Sequence, residues 1–281
     1  MRDGAEVEDL CQLHQPVALL VTSPLLEEGT GHRTRCWAVG DPGRELGLLT
    51  VVHVAQSLAV ASALVLDPAA APTLATLLRR SGAVRLVGGA DHVDSVARHV
   101  AGAQTTALEL LARRTVIPPQ PGWQARTRVA GPDDVPALVA LYRRFELEGL
   151  APAVLERSMA GLVRQQRVVV ATDGGEVVAA MRVEARSRHW DLWGGLTVPT
   201  EHRGKGLSRV VDARAWAVSV SAGRGMAGVR ALTNHVPHEQ AGITAHAWHE
   251  VRIPVDPSVP RRARRWARRQ ARRTGLGGAA R

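Results

Sequence analysis

The chain has 281 residues, 45% hydrophobic and 22% charged, which is enough apolar material for one large core or two smaller ones and argues against wholesale disorder. It has two cysteines, Cys11 and Cys36, and no CxxC pair, which excludes a thiolate zinc cluster. The polar N-terminus does not resemble a secretory signal, and polar residues and prolines interrupt the apolar stretch 51–78. We therefore expect a cytoplasmic protein without a membrane partner.

The formal net charge of +10 is unevenly distributed. Residues 256–281 contain nine arginines and one aspartate, which leaves a net charge of only +2 for the first 255 residues. Lys205 is the only lysine of the chain. The sequence thus predicts a nearly neutral body with a basic tail.

The first half shows an α/β pattern. Apolar and β-branched runs between turn residues predict strands, and amphipathic runs predict two helices. The second of these helices is predicted to have an aspartate cap. The predicted strands are 35–40, 45–54, 58–67 and 83–89, and the predicted helices are 72–82 and 91–102. A Pro-rich stretch without periodicity, 115–122, predicts a linker after this region.

A second α/β pattern follows the linker. Two β-branched runs around the turn Asp173–Glu176 predict a hairpin, and a glycine pair opens a long apolar helix. The predicted order is strand 124–129, helices 131–145 and 152–166, hairpin 167–187, strand 189–198, helix 207–221, strand 229–234, polar helix 238–249 and strand 251–256. The predicted domains are therefore 1–114 and 123–255, followed by an arginine-rich helix or tail at 256–281.

The loop between strand 189–198 and the helix at 207 carries the clearest chemical signal, the segment Arg203-Gly-Lys-Gly206. Glycines allow successive main-chain amides to converge, and a helix N-terminus adds a partial positive charge. Arg203 and Lys205 add full charges. This combination predicts a cradle for a diphosphate; the alternative is a solvated glycine-rich turn.

The segment LTVPTEHRGKGLS and the order of the predicted elements around it are similar to those of a known family. By these features, residues 123–255 resemble the GNAT superfamily of N-acyltransferases. The resemblance implies a GNAT fold, an α/β (α+β) architecture with a mixed, mostly antiparallel sheet flanked by helices. Residues 16–113 resemble the degenerate partner domain of tandem GNAT proteins. We therefore expect two tandem GNAT-like domains plus a basic C-terminal helix.

The same resemblance implies acetyl-CoA or another acyl-CoA as the cofactor. It assigns the pantetheine arm and thioester to the backbone at Leu196, Thr197 and Val198. Asn234 stands at a position that often contacts the coenzyme. The motif usually begins with Gln or Arg, but here that position is Glu201, an acid beside the expected phosphate site. The amides implied for the pyrophosphate belong to Arg203, Gly204, Lys205, Gly206, Leu207 and Ser208.

Acyl transfer to an amine requires that the amine lose a proton. The candidate bases are Asp191 and Glu184 on the strands that flank the cleft, and His235 and His238 after strand 229–234. The alternatives are a solvated strand acid and loop histidines without a role. The family often uses a tyrosine near the last helix as the acid, but the only tyrosine here, Tyr142, lies in the first helix.

Two further patterns resemble functional motifs. The HxxHE sequence occurs at 235–239 and at 246–250, but its order differs from the HExxH of zinc proteases, and we expect no metal. Segment 223–228, GRGMAG, fits GxGxxG, yet it follows a helix and precedes a strand, the reverse of a dinucleotide-binding site. We interpret it as a helix end and a turn.

The tail predicts a helix that stops at Gly275, with arginines on one broad face. Such a stripe would neutralise the phosphates of a polyanion such as tRNA; the alternative is a solvated tail. The candidate nucleic-acid-binding residues are Arg261, Arg264, Arg265, Arg268, Arg269, Arg272 and Arg273.

Three functions follow from these observations. The first is an N-acyltransferase that acts on a small-molecule or peptide amine in a ternary complex. The second is a transferase on the same fold that uses or acylates aminoacyl-tRNA gripped by the tail. The third is a non-catalytic protein that binds acyl-CoA or nucleic acid.

Overall fold

The computed structural model describes residues 4–21, 34–41, 44–55, 58–114, 126–145, 151–232 and 243–254. The described chain divides into two compact units. The first contains the residues up to Leu110 together with 230–232 and 245–254, and the second contains Leu111–Val229 with 243–244. The predicted linker 115–122 and the arginine-rich tail lie outside the described residues.

The first unit is a mixed sheet with helices packed on it. The elements are α1 (Gly4–Cys11), β1 (Thr34–Asp41), β2 (Arg44–Ala55), β3 (Leu58–Val65), α2 (Ala71–Ser81), β4 (Arg85–Gly89), α3 (Ala90–Ala97), β5 (Gln104–Arg113) and β11 (Ile243–Arg252). The strands follow the order β1-β2-β3-β4-β11-β5, in which β3 and β4 are parallel and the pairs β1–β2, β2–β3 and β4–β11 are antiparallel.

The predicted strands and helices of this region are confirmed, with shifts of a few residues at their ends. Helix α2 ends where predicted, at Gly82. The φ angle of Gly82 is 73°, a left-handed value that residues with a side chain disfavour. The predicted aspartate cap of the second helix is wrong, because α3 starts after Gly89 without a side-chain cap and Asp91 lies in its first turn. The sequence analysis did not predict α1 and β5.

The last strand corrects a helix prediction. Residues 243–252 form β11, where the sequence pattern indicated a polar helix at 238–249. Its partner is β4, with Trp248 opposite Gly89 and Arg252 opposite Arg85. This register buries Trp248, and the pairing supplies main-chain hydrogen bonds that outweigh a local helical preference.

The second unit contains the sheet that carries the predicted loop. The elements are β6 (Thr127–Val129), α4 (Val135–Phe145), α5 (Pro152–Arg164), β7 (Val168–Asp173), β8 (Glu176–Arg186), β9 (Trp190–Thr197), α6 (Leu207–Ser221) and β10 (Gly225–Ala231). The strands follow the order β10-β9-β8-β7-β6, with β9 and β10 parallel and the other pairs antiparallel.

Alternation along the strands places a helix layer on each face of this sheet. Val169 and Ala171 of β7 pack in the cluster that contains Trp216 of α6. Val168 and Val170, which point to the other face, pack with Tyr142 of α4 and with α5. Both faces of this sheet are therefore covered by helices.

Candidate active site

The loop after β9 has the geometry that its glycines predict. A short 3₁₀ turn, Thr200–His202, follows the strand, and α6 begins at Leu207. Gly204 and Gly206 adopt left-handed φ values of 77° and 75°, which side chains disfavour. A Cβ added at Gly204 would meet no atom within 4 Å, so the loop faces open space on this side.

Five consecutive main-chain amides at this loop are available to a ligand. No described residue accepts a hydrogen bond from the amides of Gly204 to Ser208. The Arg203 amide, which the resemblance included in the cradle, instead donates to the Thr200 carbonyl at 3.2 Å. The cradle is thus one residue shorter than expected, and it coincides with the positive end of the α6 dipole.

A cavity of about 340 Å³ lies beside these amides. Its apolar lining comes from Leu196, Val198 and Leu207. The polar lining comes from His202, Arg203, Gly204, Gly206 and Ser208. Arg203 also fixes the strand end, because its Nε donates to the Val198 carbonyl at 3.2 Å. Lys205 is exposed and is not one of the lining residues, although its main-chain amide belongs to the cradle.

His202 is a lining residue that the sequence analysis did not single out. Its Nδ1 atom is buried and has no hydrogen-bond partner among the described residues. The sequence offers only a weak signal for it, a histidine within the loop motif, and the tertiary structure turns that histidine toward the cavity.

Glu201 does not oppose the cradle in the way the sequence suggested. Its carboxylate forms an ion pair with Arg144 of α4 at 3.0 Å and lies outside the cavity lining. A hydrogen bond from its own main-chain amide and the Arg144 guanidinium lower the pKa of Glu201. Its negative charge is therefore maintained but compensated by a neighbouring cation.

The main chain of β9 diverges from β10 in front of the loop. The parallel pairing runs from Trp190 to Trp193, and the following residues of β9 make no ladder with β10. Leu196 in this segment is 42% exposed, while Thr197 is buried with its hydroxyl bonded to the Gly195 carbonyl. An unpaired strand edge thus lies where the resemblance places the pantetheine arm.

A β-bulge shapes the same end of β9. The register with β8 shifts between Ala180, opposite Thr197, and Arg182, opposite Gly194. Gly195 has a left-handed φ of 58° within the bulge. Bulges of this kind redirect main-chain groups out of the ladder.

Glu184, one of the predicted bases, lies against this bulge. A Cβ added at Gly194 would overlap its carboxyl group. The side chain is 40% exposed and pairs with Arg182 at 3.0 Å. The position combines access to solvent with proximity to the diverging strand, which suits a group that binds or deprotonates an amine.

Asp191, the other predicted base on a strand, has a structural environment. It is completely buried, and its carboxylate accepts hydrogen bonds from Arg186 Nε at 2.6 Å, Arg224 Nε at 3.0 Å and the Ser219 hydroxyl at 2.9 Å. It lies at the start of β9, roughly 16 Å from Leu196 at ~3.3 Å per residue. Full burial and these three hydrogen bonds favour a structural role for Asp191 over a role as a base.

The remaining predicted residues belong to the segment after β10 and to the tail. Asn234, His235, His238 and the tail arginines lie outside the described residues. Within the described part of the chain no cluster of three or more His, Cys, Asp or Glu side chains could hold a metal ion. None of the helices in that part has both the length and the apolar composition that crossing a bilayer requires.

Solved structures resemble the fold of this chain, with its mixed sheet and its glycine loop at a helix start, over most of its length. A GCN5-related N-acetyltransferase from Sphaerobacter thermophilus matches with a TM-score of 0.60 at 16% identity, over 92% of this chain and 95% of that one. A GNAT-family acetyltransferase from Colwellia psychrerythraea gives 0.55 at 14% identity, over 88% and 97%.

A tandem GNAT protein from the clavulanic acid biosynthesis pathway matches with a TM-score of 0.52 at 15% identity, over 92% of this chain and 98% of that one. No family model matches the chain, and no curated protein matches its sequence. The chain therefore has the GNAT fold, as the glycine loop and element order predicted.

Proposed function

We propose that the chain is an N-acyltransferase that transfers an acyl group, acetyl being the simplest, from acyl-CoA to an amine by direct attack in a ternary complex. The observation that carries this proposal is the set of five amides at Gly204–Ser208 that have no partner among the described residues and lie beside a cavity. Hydrogen bonds to a charged acceptor contribute about 1.5–3 kcal/mol each, so several of them would supply a large part of the free energy of about −8 kcal/mol that micromolar binding requires.

The residues present fit the coenzyme. The amides of Gly204–Ser208 would hold the diphosphate at the α6 N-terminus. The apolar lining suits the methylene chain of the pantetheine arm, and the unpaired edge of β9 offers it main-chain hydrogen bonds. A volume of about 340 Å³ is within the usual range of small-molecule sites, about 300–1,000 Å³.

Acyl-CoA supplies an activated thioester, and the chain supplies the groups around it. Glu184 would hold the acceptor amine and take up its proton, because its carboxylate is exposed beside the β9 bulge. Tyr142 is completely buried and cannot protonate a thiolate in the cavity. A thiol with a pKa of about 8.5 leaves without a strong acid.

Calorimetry with acetyl-CoA and a thiol-release assay with a panel of amines test this proposal. We expect micromolar binding and thiol release that depends on the amine. Absence of binding heat would exclude the acyl-CoA function. Binding without thiol release for any amine would favour the third candidate, a non-catalytic binding protein.

The tRNA-dependent reaction remains a second proposal, which the arginine-rich sequence of 256–281 supports. Filter binding of tRNA to the full chain and to a chain ending at residue 255 tests it. We expect the shorter chain to retain less tRNA and the full chain to lose retention steeply with salt. Equal retention by both chains would remove the tail from the proposal.

A further inference from the structure

Two side chains of β8 lie directly against two consecutive glycines of β9. A Cβ added at Gly194 would overlap the Glu184 carboxyl group, and one added at Gly195 would overlap the Arg182 guanidinium. Arg182 and Glu184 are two residues apart on β8, and their side chains contact each other at 3.0 Å. The bulge of β9 is thus packed against a carboxylate and a guanidinium.

Arg182 is held from both sides. Its Nη2 contacts Glu184 Oε1 at 3.0 Å, and its Cζ lies 4.7 Å from the centre of the Tyr142 ring. The side chain is only 12% exposed, and Tyr142 is completely buried. A partly desolvated guanidinium over an aromatic face gains cation–π attraction, and its planar group fixes the geometry of both contacts.

This arrangement couples the carboxylate to the strand end. The guanidinium fills the space beside Gly195, and the same group fixes one Glu184 oxygen against Gly194. Loss of the guanidinium would leave a gap beside the bulge and remove the counter-charge of Glu184. Both effects act on the acceptor side, whereas the amides of Gly204–Ser208 lie on a separate loop.

We propose that Arg182 is a positioning residue for acyl transfer: stacked on Tyr142, it holds Glu184 against the bulge of β9 in the orientation that receives the acceptor amine. This inference rests on the proposed acyltransferase function and adds a role that the sequence analysis did not assign. Arg182 itself is not one of the residues that line the cavity.

The test measures kcat, the KM for the amine and the Kd for acetyl-CoA in a graded series of variants of the full chain. We expect Arg182→Met to lower kcat about 10- to 100-fold, since small misplacements of a reacting group have effects of this size. Arg182→Lys, which keeps the charge without the planar stack, should restore part of the loss. Tyr142→Phe should resemble the wild type, whereas Tyr142→Leu should resemble Arg182→Lys.

Arg186 provides the matched control. It is an arginine of the same strand, also paired with a carboxylate, but its partner is the buried Asp191 at the other end of β9. Arg186→Lys and Arg186→Met should lower the melting temperature and leave kcat and the acetyl-CoA Kd of the folded fraction unchanged. Arg182→Lys should change kcat with an unchanged acetyl-CoA Kd.

The outcomes separate the two proposals. If the wild type binds acetyl-CoA and releases thiol but the folded fraction of the Arg182 variants keeps wild-type kcat, with at most a lower melting temperature as expected for the Arg186 variants, the positioning role is overturned and the acyltransferase stands. If the wild type neither binds acetyl-CoA nor releases thiol, both proposals fall.

Discussion

Two helices in this molecule begin just after a β-strand and lead into a parallel strand, yet their N-termini are built in opposite ways. In the second unit α6 follows β9 through a loop with two left-handed glycines, and five amides at its start have no partner among the described residues. In the first unit α2 follows β3, and the chain uses its own groups to satisfy the corresponding amides.

The start of α2 is closed by an aspartate and two prolines. The Asp67 carboxylate accepts from the Ala69 amide at 2.8 Å, and the Asp67 carbonyl accepts from the Ala70 amide at 3.0 Å. Pro68 and Pro72 have no N–H to offer. The helix therefore presents no amide cluster comparable to Gly204–Ser208.

The divergence between β3 and β4 is filled as well. The Val65 amide donates to Nδ1 of His92 at 3.4 Å, and a Cβ added at Gly89 would overlap Val17. In the first unit, side chains therefore occupy the space between β3 and β4. This space corresponds to the open edge of β9 in the second unit. The comparison teaches that strand and helix order alone creates no ligand site; the site requires glycine at the turn and an unfilled strand edge.

The largest effect is expected from a charge placed in the cradle. Gly204→Asp should weaken acetyl-CoA binding about 100-fold, since like charges brought together in a binding site cost several kcal/mol. Gly223→Asp is the matched control, because Gly223 has a similar φ of 71° and equally open space at its Cβ position. Calorimetry should show normal affinity for the control, and equal losses in both variants would contradict the cradle.

A substitution at the start of α2 should change the stability of the protein and leave its binding of acetyl-CoA unchanged. Asp67→Ala removes the side-chain acceptor of the Ala69 amide and should lower the free energy of unfolding by about 1 kcal/mol, the usual effect of a lost cap. Acetyl-CoA stoichiometry should stay the same in calorimetry. A second binding event in this variant would show that one aspartate, and not the whole strand–helix junction, closes the first unit.

A smaller effect on acetyl-CoA binding is expected from the ion pair between Arg144 and Glu201, which lies beside the glycine loop. Arg144→Ala removes the cation paired with Glu201 and should weaken acetyl-CoA binding about two- to threefold at low salt, because exposed pairs interact weakly and salt screens them. Adding Glu201→Gln to this variant should restore the affinity. An unchanged Kd in Arg144→Ala at low ionic strength would show that the Glu201 charge does not reach the bound diphosphate.

The smallest effect is a pH dependence of the first unit. Burial, and secondarily His14, lower the pKa of His92 in the folded chain. As the pH falls through the ordinary histidine value of 6.5, the unfolded chain takes up a proton first, so stability decreases until the folded-state pKa is reached. His92→Asn keeps an acceptor for the Val65 amide and should flatten this part of the unfolding curve relative to the wild type. Parallel curves for the two proteins would contradict the assignment.

Local patterns predicted most elements of both units because the information is local. Three features depend only on neighbouring residues. They are the left-handed Gly82 at the end of α2, the hairpin of β7 and β8, and the apolar periodicity of α6. The glycine loop at Gly204 belongs to the same class, since its conformation follows from the absence of a Cβ.

Predictions failed where a distant partner decides. The polar pattern of 238–249 indicated a helix, but β11 pairs with β4, which lies about 160 positions earlier in the chain. The environment of Asp191 also depends on distant groups. Its partners Ser219 and Arg224 follow it by 28 and 33 positions, so the local strand pattern does not reveal them.

The sequence by itself determined the α/β order, the GNAT resemblance and the position of the glycine loop, because helix caps, turns and strand alternation depend on nearby residues. Only the tertiary structure decided which carboxylates are available. It buried Asp191 between two arginines, paired Glu201 with Arg144 and left Glu184 exposed at the bulge. The reason is that burial and ion pairing depend on groups brought together from distant parts of the chain, and a sequence pattern does not record those distances.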